Sequence, residues 1–412
     1  MAERHADYLL IGGGIAAANC ALWLRRGGAD GSILLVGREV DLPYDRPPCS
    51  KGYLQGNQSR ADVLFRDAEF YEAENIEVLT RTSAMKLDTD ARTVRLSNKD
   101  EVSFGQALIA TGANVRRLNV PGSDLEGIHY LRTLGNSDAI REDAAGKRVV
   151  LIGGSYIGSE VAASLTGLGS QCTIVMIEPL ILSRGFGEQA GGYFTSVLED
   201  HGVTVHGGHQ LERFEGVDGR VTRVVATGGL ELEADAVVIG AGSMPDVMLA
   251  RSAGLALGET GGIHVDSRLQ TAVPGLFAAG DAAEYESVLH DRSRIRIEHW
   301  DVAFSQGRTV AMNMLGQEAP HDTVPYFFSD IGDWVSLGYV GPAHRWDREI
   351  VRGSLDGGSF SIFYLHGGRV LAALSVADDE SLVQARRLIA AGGWLGERAE
   401  LLGDESTDLA EL

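Results

Sequence analysis

The chain has 412 residues, 44% hydrophobic and 23% charged, which is enough for two or three domains with cores of their own. Its formal net charge of −21 argues against nucleic acid and anionic membrane surfaces as partners, but leaves room for an acidic protein partner wherever basic residues gather locally. There is no charged-then-apolar leader and no apolar run near 18 residues, so a soluble cytoplasmic protein is expected. Cys20, Cys49 and Cys172 fit neither a disulfide framework nor a ligand spacing, and His201, His206 and His209 gather near one turn without a ligand pattern; no metal site is expected.

Polar residues 1–7 lead into the apolar strand Tyr8, Leu9, Leu10, Ile11. The turn Gly12-Gly13-Gly14-Ile15-Ala16-Ala17 then opens an alanine-rich helix, and a second strand follows at Ile33–Val36. Small residues at such a turn let the backbone approach a pyrophosphate at a helix N-terminus, and Ala17 is allowed in the third glycine position. With 53 glycines, a chance match is expected roughly once, so the strand–turn–helix–strand context carries the weight. Beyond the second strand, Glu39 is the first choice for the ribose hydroxyls, and Arg38 is an alternative that would cover the adenine or a phosphate. The stretch Pro43-Tyr44-Asp45-Arg46-Pro47-Pro48-Cys49-Ser50-Lys51 is expected to be extended, placing Arg46 and Lys51 along a large ligand. Residues 76–94 alternate like strands, and residues 106–110 read as a buried strand ending in the small-residue turn Thr111-Gly112-Ala113.

The same pattern returns from residue 148: Val149-Val150-Leu151-Ile152, then Gly153-Gly154-Ser155-Tyr156-Ile157-Gly158, a helix, and a strand over residues 172–177. Ser155 replaces the middle glycine, but its hydroxyl is small enough to donate to a phosphate. Glu178 closes this copy, where a carboxylate accepts both ribose hydroxyls and repels a 2′-phosphate, favouring NADH over NADPH. Strands near residues 203, 221–226 and 231–233 lead to Ala236-Val237-Val238-Ile239, which ends in Gly240-Ala241-Gly242, much as the earlier strand ends in Thr111-Gly112. A further buried strand ends in Ala279-Gly280-Asp281, where the aspartate would accept a sugar hydroxyl or cap a helix. At strand period Arg292, Arg294 and Arg296 would share one face, either a solvated edge or a docking patch. From residue 325 the texture changes to hairpin-like strands, then a helix over residues 380–391 and an acidic tail expected to fray after Gly403.

Together these blocks resemble the pyridine nucleotide–disulfide oxidoreductase superfamily of FAD-dependent enzymes, and within it the oxygenase-coupled ferredoxin reductases and the apoptosis-inducing-factor-like branch. The most specific are residues 43–51, Ala110-Thr111-Gly112, Tyr130-Leu131-Arg132-Thr133, Ala279-Gly280-Asp281 and Arg296-Ile297-Glu298-His299-Trp300. The resemblance implies an α/β fold with two Rossmann-like three-layer dinucleotide-binding domains and a C-terminal α+β domain. The expected boundaries are 1–115 with 241–324 for FAD, 116–240 for NAD, and 325–412 for the C-terminal domain. It implies that Gly12, Gly14, Ile15, Ala16 and Ala17 line the FAD pyrophosphate, that Lys51, Arg132 and Asp281 contact the flavin nucleotide with Arg46, Pro47, Ala110, Thr111, Gly112 and Gly280 around it, and that Thr82 or Ala84 lies on the adenine side. Trp300, beside His299, would lie near the isoalloxazine. Gly154, Ser155, Tyr156 and Ile157 would meet the NADH pyrophosphate, with Glu178 on the ribose and Gly242 at the neighbouring turn. Glu160 and Glu298 would sit at the nicotinamide carboxamide. Lys51 and Glu160 would pair beside the flavin, the cation favouring negative charge on the reduced ring. Cys49 stands where an aliphatic residue is usual, and Phe328 where many relatives carry a tryptophan.

The leading expectation is an NADH-dependent, FAD-containing reductase of a ferredoxin-type iron–sulfur protein serving a P450 or dioxygenase, possessing no second redox centre of its own. Arg292, Arg294 and Arg296 are its candidate docking residues, and a homodimer is compatible with it. Three other readings stand beside it: a redox role for Cys49 in reducing a peroxide or disulfide, a reductase of a small acceptor such as a quinone or monodehydroascorbate, and a non-enzymatic NADH-sensing flavoprotein.

Overall fold

A computed structural model describes residues 3–290, 292–343 and 345–412, which divide into two compact units. The first holds residues 1–45, 61–114 and 244–325. Its main sheet runs in the order Ile76–Leu79, Ile33–Val36, Glu3–Ile11, Glu101–Ile109, Thr93–Leu96, Ala84–Asp88, with Leu276–Ala278 paired to Glu101–Ile109. Glu3–Ile11 is parallel to both of its neighbours, and residues 33–36 are buried throughout, as a doubly covered strand requires. Helix Ile15–Arg26 packs against helix Trp300–Met314, and Gly307 makes this possible: a Cβ there would lie 2.3 Å from the Ala16 carbonyl oxygen.

The second unit holds residues 46–60, 115–243 and 326–412. A five-stranded parallel sheet runs in the order Thr204–His206, Gln171–Val175, Arg148–Ile152, Ala236–Ile239, Ile128–Tyr130. Beside it lies the antiparallel set Leu211–Val217, Arg220–Ala226, Leu230–Glu233. The C-terminal part is a five-stranded antiparallel sheet, Tyr326–Ile331, Val335–Val340, Arg369–Val376, Ser359–His366, Arg348–Ser354, packed with helix Asp379–Ala390. The fold is therefore α/β, with two doubly wound nucleotide-type sheets and a C-terminal α+β domain.

Three local expectations need correction. Residues Pro47–Ser50 form a 3₁₀ turn and not an extended run: Pro47 opens the turn, where a missing N–H costs nothing. The tail does not fray. Residues Gly396–Gly403 and Leu409–Glu411 are 3₁₀ turns, Leu409 is buried, and Arg352 donates to the carbonyls of Asp404, Glu405 and Thr407. The basic triplet forms no common face, because the strand there is only Arg294–Ile295 and Arg292 has φ +58°, which breaks the alternation. Arg292 pairs with Glu286, while Arg296 turns to Glu298 and the Asp281 carbonyl. Ile295 and Ile297 point into the core.

Candidate active site

In the first unit the cradle is built from backbone. Gly12 has φ +134°, its N–H donates to the Val36 carbonyl, and a Cβ would lie 2.0 Å from the Ala110 carbonyl oxygen. The helix behind it starts at Gly14, an N-cap that gives its first-turn N–H groups no side-chain hydrogen bond. Around this cradle, Gly280 donates to Gln306 Oε1 at 2.7 Å and sits against Ala16 and Ala303. Asp281 lies in the one-turn 3₁₀ segment Gly280–Ala282. Thr82 is buried, its N–H on the Gly37 carbonyl, and Ala84 begins the strand that follows.

The two ribose candidates are engaged differently. Arg38 is taken up by Asp246 at 2.8 Å and by Asn114 at 2.7 Å, and Asp246 in turn is fixed by Gly112 and Thr111 through its backbone. Glu39 accepts the Tyr44 hydroxyl at 2.6 Å. Glu298 and His299 precede helix Trp300–Met314, which begins at Trp300; the indole stacks on Phe304 at 5.1 Å and donates to Asp45.

The second unit repeats the device. Gly153 has φ +107°, and a Cβ there would meet the Gly240 carbonyl oxygen at 2.5 Å; at Gly154 it would strike Met176 Sδ at 2.0 Å. Helix Tyr156–Gly167 starts at Ser155, again without a side-chain cap. The Ser155 hydroxyl donates back to the Gly240 carbonyl at 3.3 Å, a weak bond that a phosphate oxygen can replace. Tyr156 packs on Phe186 and Phe327, and burial pushes its hydroxyl pKa well up, so it stays a neutral wall. Ile157 is half-buried on the next position of the helix. Glu178 lies just past strand Gln171–Val175, its carbonyl accepting the Gly208 N–H and its side chain partly open. Gly242, at φ +92°, accepts from the Arg116 N–H.

One charged group in this unit is sequestered. Glu160, on helix Tyr156–Gly167, is 4% exposed and forms an ion pair with Lys51. Ser50 Oγ and Ser329 Oγ each donate to it, to different carboxylate oxygens, at 2.5 Å. Arg46 donates to the Arg132 carbonyl at 2.6 Å, Ser164 to the Ser50 carbonyl and Ser137 to the Cys49 carbonyl, which holds residues 46–60 against this unit. Phe328 presents its ring 5.7 Å from the Lys51 ammonium. Pro47 lies in the 3₁₀ turn leading to this pair.

Residues 6–307 match the family described as pyridine nucleotide-disulphide oxidoreductase, and residues 326–412 match the reductase C-terminal family. The chain belongs to the pyridine nucleotide-disulphide oxidoreductase family. It is 34% identical to rhodocoxin reductase of Rhodococcus erythropolis over 93% of this chain and 89% of that protein. The crystal structure of the ferredoxin reductase for the CYP199A2 system from Rhodopseudomonas palustris superposes with a TM-score of 0.93 at 33% identity, covering 98% of each chain. The reductase in the covalent putidaredoxin reductase–putidaredoxin complex superposes at 0.92 with 34% identity, covering 98% of this chain and 97% of that one.

Membership makes the protein an oxidoreductase and implies FAD and NAD(P)H. The two cradles fit such groups: each pairs an uncapped helix N-terminus with a glycine whose missing Cβ leaves the backbone open. The three cysteines are buried and none forms a disulfide; burial pushes the Cys20 thiol up strongly and the Cys172 thiol up to about 11, as for packing residues. Among the described residues no cluster suits a metal ion, and no helix is long and apolar enough to cross a membrane. The sequence reading missed Ser50, Ser329 and Asp45. The only available signal was their position inside or beside motifs already singled out.

Proposed function

We propose that the protein is an NADH-dependent reductase that passes electrons through FAD to a ferredoxin-type iron–sulfur protein serving a P450 or dioxygenase. The observation that carries this reading is that both cradles and the C-terminal sheet occur in one chain that aligns, over nearly its whole length, with reductases named for such partners. Bound FAD supplies a two-electron acceptor for hydride and a one-electron donor to the iron–sulfur partner.

The chain's own residues do the binding and the electrostatics. Residues 1–115 with 241–324 hold FAD: Gly12, Gly14, Ala16 and the helix behind them take its pyrophosphate, Glu39 its ribose, and Asp281 its sugar chain. Residues 116–240 hold NADH, with the N–H groups of the turn at Ser155 and Tyr156 on its pyrophosphate. Residues 325–412 form the interface domain. Glu178 selects NADH, because a carboxylate at the ribose accepts two hydroxyls and repels a 2′-phosphate. Lys51, held by Glu160, keeps a fixed positive charge that favours the anionic reduced ring. The burial of Cys49 speaks against a redox thiol, since attack on a disulfide or peroxide needs an accessible thiolate.

Anaerobic reduction by NADH, followed by reoxidation with a [2Fe–2S] ferredoxin, a quinone, peroxide or oxygen, tests the acceptor. The ferredoxin should reoxidise the protein at least about tenfold faster than the small oxidants; the reverse order would defeat the proposal. NADPH should reduce the protein more slowly than NADH, and Glu178→Ala should narrow that gap by about tenfold or more.

A further inference from the structure

Lysine is scarce here. Of the 36 basic side chains only four are lysines, Lys51, Lys86, Lys99 and Lys147, and Lys51 pairs with a buried carboxylate. A carboxylate that is 4% exposed keeps its charge at a high desolvation cost unless several donors satisfy it. Glu160 has three: the Ser50 hydroxyl on Oε2, and the Ser329 hydroxyl and the Lys51 ammonium on Oε1. Both serines are themselves buried, at 2% and 0% exposed, so neither hydroxyl has water as an alternative partner.

The donors come from different places. Ser50 and Lys51 are consecutive in the proline-rich turn, and one helix face grips Ser50 twice, through the Glu160 carboxylate and, four residues on, through the Ser164 hydroxyl on its carbonyl. Ser329 lies on strand Tyr326–Ile331 of the C-terminal sheet, next to Phe328, whose ring faces the Lys51 ammonium at 5.7 Å. That strand therefore contributes to the ion pair twice: a hydroxyl to the anion and an aromatic face to the cation.

We propose that Ser329 is a positioning residue of the reductase: by clamping the second oxygen of Glu160 from the C-terminal sheet, it fixes where the Lys51 ammonium sits, with Ser50 as the complementary clamp on the other oxygen. The C-terminal domain is then part of the electron-transfer machinery and more than an assembly surface. With Ser329 lost, the carboxylate keeps Lys51 but gains a rotational degree of freedom, and the ammonium loses its single location. The bearing of this on turnover rests on the role proposed above for Lys51; the clamp itself does not.

The test uses full-length protein labelled with ¹³C,¹⁵N-lysine, in which four side-chain Cε–Hε signals are expected and Lys51→Arg assigns the one of interest. In Ser329→Ala the Lys51 signal should shift and broaden while those of Lys86, Lys99 and Lys147 stay in place, which also reports that the fold is intact. Ser329→Thr, which keeps the hydroxyl, should restore the wild-type signal. The rate of flavin reduction at saturating NADH should fall about tenfold in Ser329→Ala, with the KM for NADH within about twofold, and should recover in Ser329→Thr. An unmoved Lys51 signal in Ser329→Ala overturns the proposal, and so does a moved signal with an unchanged reduction rate. If the signal and rate respond as stated but no ferredoxin accepts electrons, the clamp stands and the acceptor assignment falls.

Discussion

The Trp300 indole N–H donates to Asp45 Oδ1 at 2.9 Å, joining two residues 255 positions apart in the chain. The indole is stacked on Phe304, which also meets Phe65 edge-to-face, so the hydrogen bond sets the rotation that stacking leaves open.

Asp45 is costly to keep charged. Burial pushes its carboxyl pKa up, more than the Trp300 hydrogen bond and the nearby Arg66 charge pull it down. A carboxyl whose folded pKa is raised binds protons better when folded, so its stabilising contribution is present at low pH and is lost as pH rises through that value. Asp45→Asn keeps an acceptor without the charge and is expected to raise stability at pH 7; Asp45→Leu orphans the indole N–H and is expected to cost about 1–2 kcal/mol. Urea unfolding at pH 4–8, with tryptophan emission as the readout of the indole's surroundings, distinguishes the two. Equal losses in both variants would show that the charge itself is needed.

The two cradles should fail independently. Gly12→Ala puts a methyl 2.0 Å from the Ala110 carbonyl oxygen at φ +134°, and Gly153→Ala puts one 2.5 Å from the Gly240 carbonyl oxygen at φ +107°. Neither backbone conformation suits alanine. Gly12→Ala is expected to purify with less than about a tenth of the wild-type flavin absorbance, whereas Gly153→Ala stays yellow and its KM for NADH rises more than about tenfold. Loss of flavin from Gly153→Ala would contradict the assignment of the two turns.

Such turns are legible in a sequence because the constraint on them is local: a strand, a glycine that must adopt a positive φ, and a helix occur within about 15 consecutive residues. The donors to Glu160 are not local. Ser50 lies 110 positions from it and Ser329 169, and a serine carries no sign of which distant carboxylate it serves. The arginine triplet misled for a related reason: period-two reading assumes a strand, and a single left-handed residue at Arg292 ends it. Composition made the acidic tail look loose, while its partners, Arg352 and Arg387, lie in elements far upstream.

The tail should therefore contribute to stability. Arg352 donates to three of its carbonyls, Arg387 donates to the Leu409 carbonyl, and Leu409 is 4% exposed. Deleting residues 404–412 exposes the surface under Leu409 and removes the carbonyls that Arg352 and Arg387 hold, and is expected to cost about 2–4 kcal/mol. Arg352→Ala should give roughly half of that loss. Thermal unfolding measured on both variants tests this, and an unchanged midpoint for the truncation would mean the tail is only lightly docked.

His321 sets an acid limit on the first unit. It is 2% exposed, its backbone N–H donates to the Ser267 carbonyl, and its ring stands edge-on to Tyr285 at 5.3 Å. The Thr309 hydroxyl donates to the Ser305 carbonyl, so the 3.1 Å contact to His321 is best made by Nδ1–H donating to Thr309 Oγ1. This tautomer leaves Nε2 as a bare lone pair with no partner among the described residues, which is tolerable for neutral imidazole and forbidding for imidazolium. Burial accordingly lowers the pKa from 6.5 to about 4, against a smaller upward pull from Asp322. Between those values the unfolded chain binds a proton that the folded chain does not, so stability falls as pH drops from 6.5 toward 4, by roughly 3 kcal/mol over the window. Replacing His321 with Gln removes the titrating group; the variant should be less stable at pH 7.5, from imperfect packing, yet lose much less on going to pH 4.5. Urea midpoints at the two pH values measure both effects. Parallel losses in wild type and His321→Gln would place the acid sensitivity elsewhere.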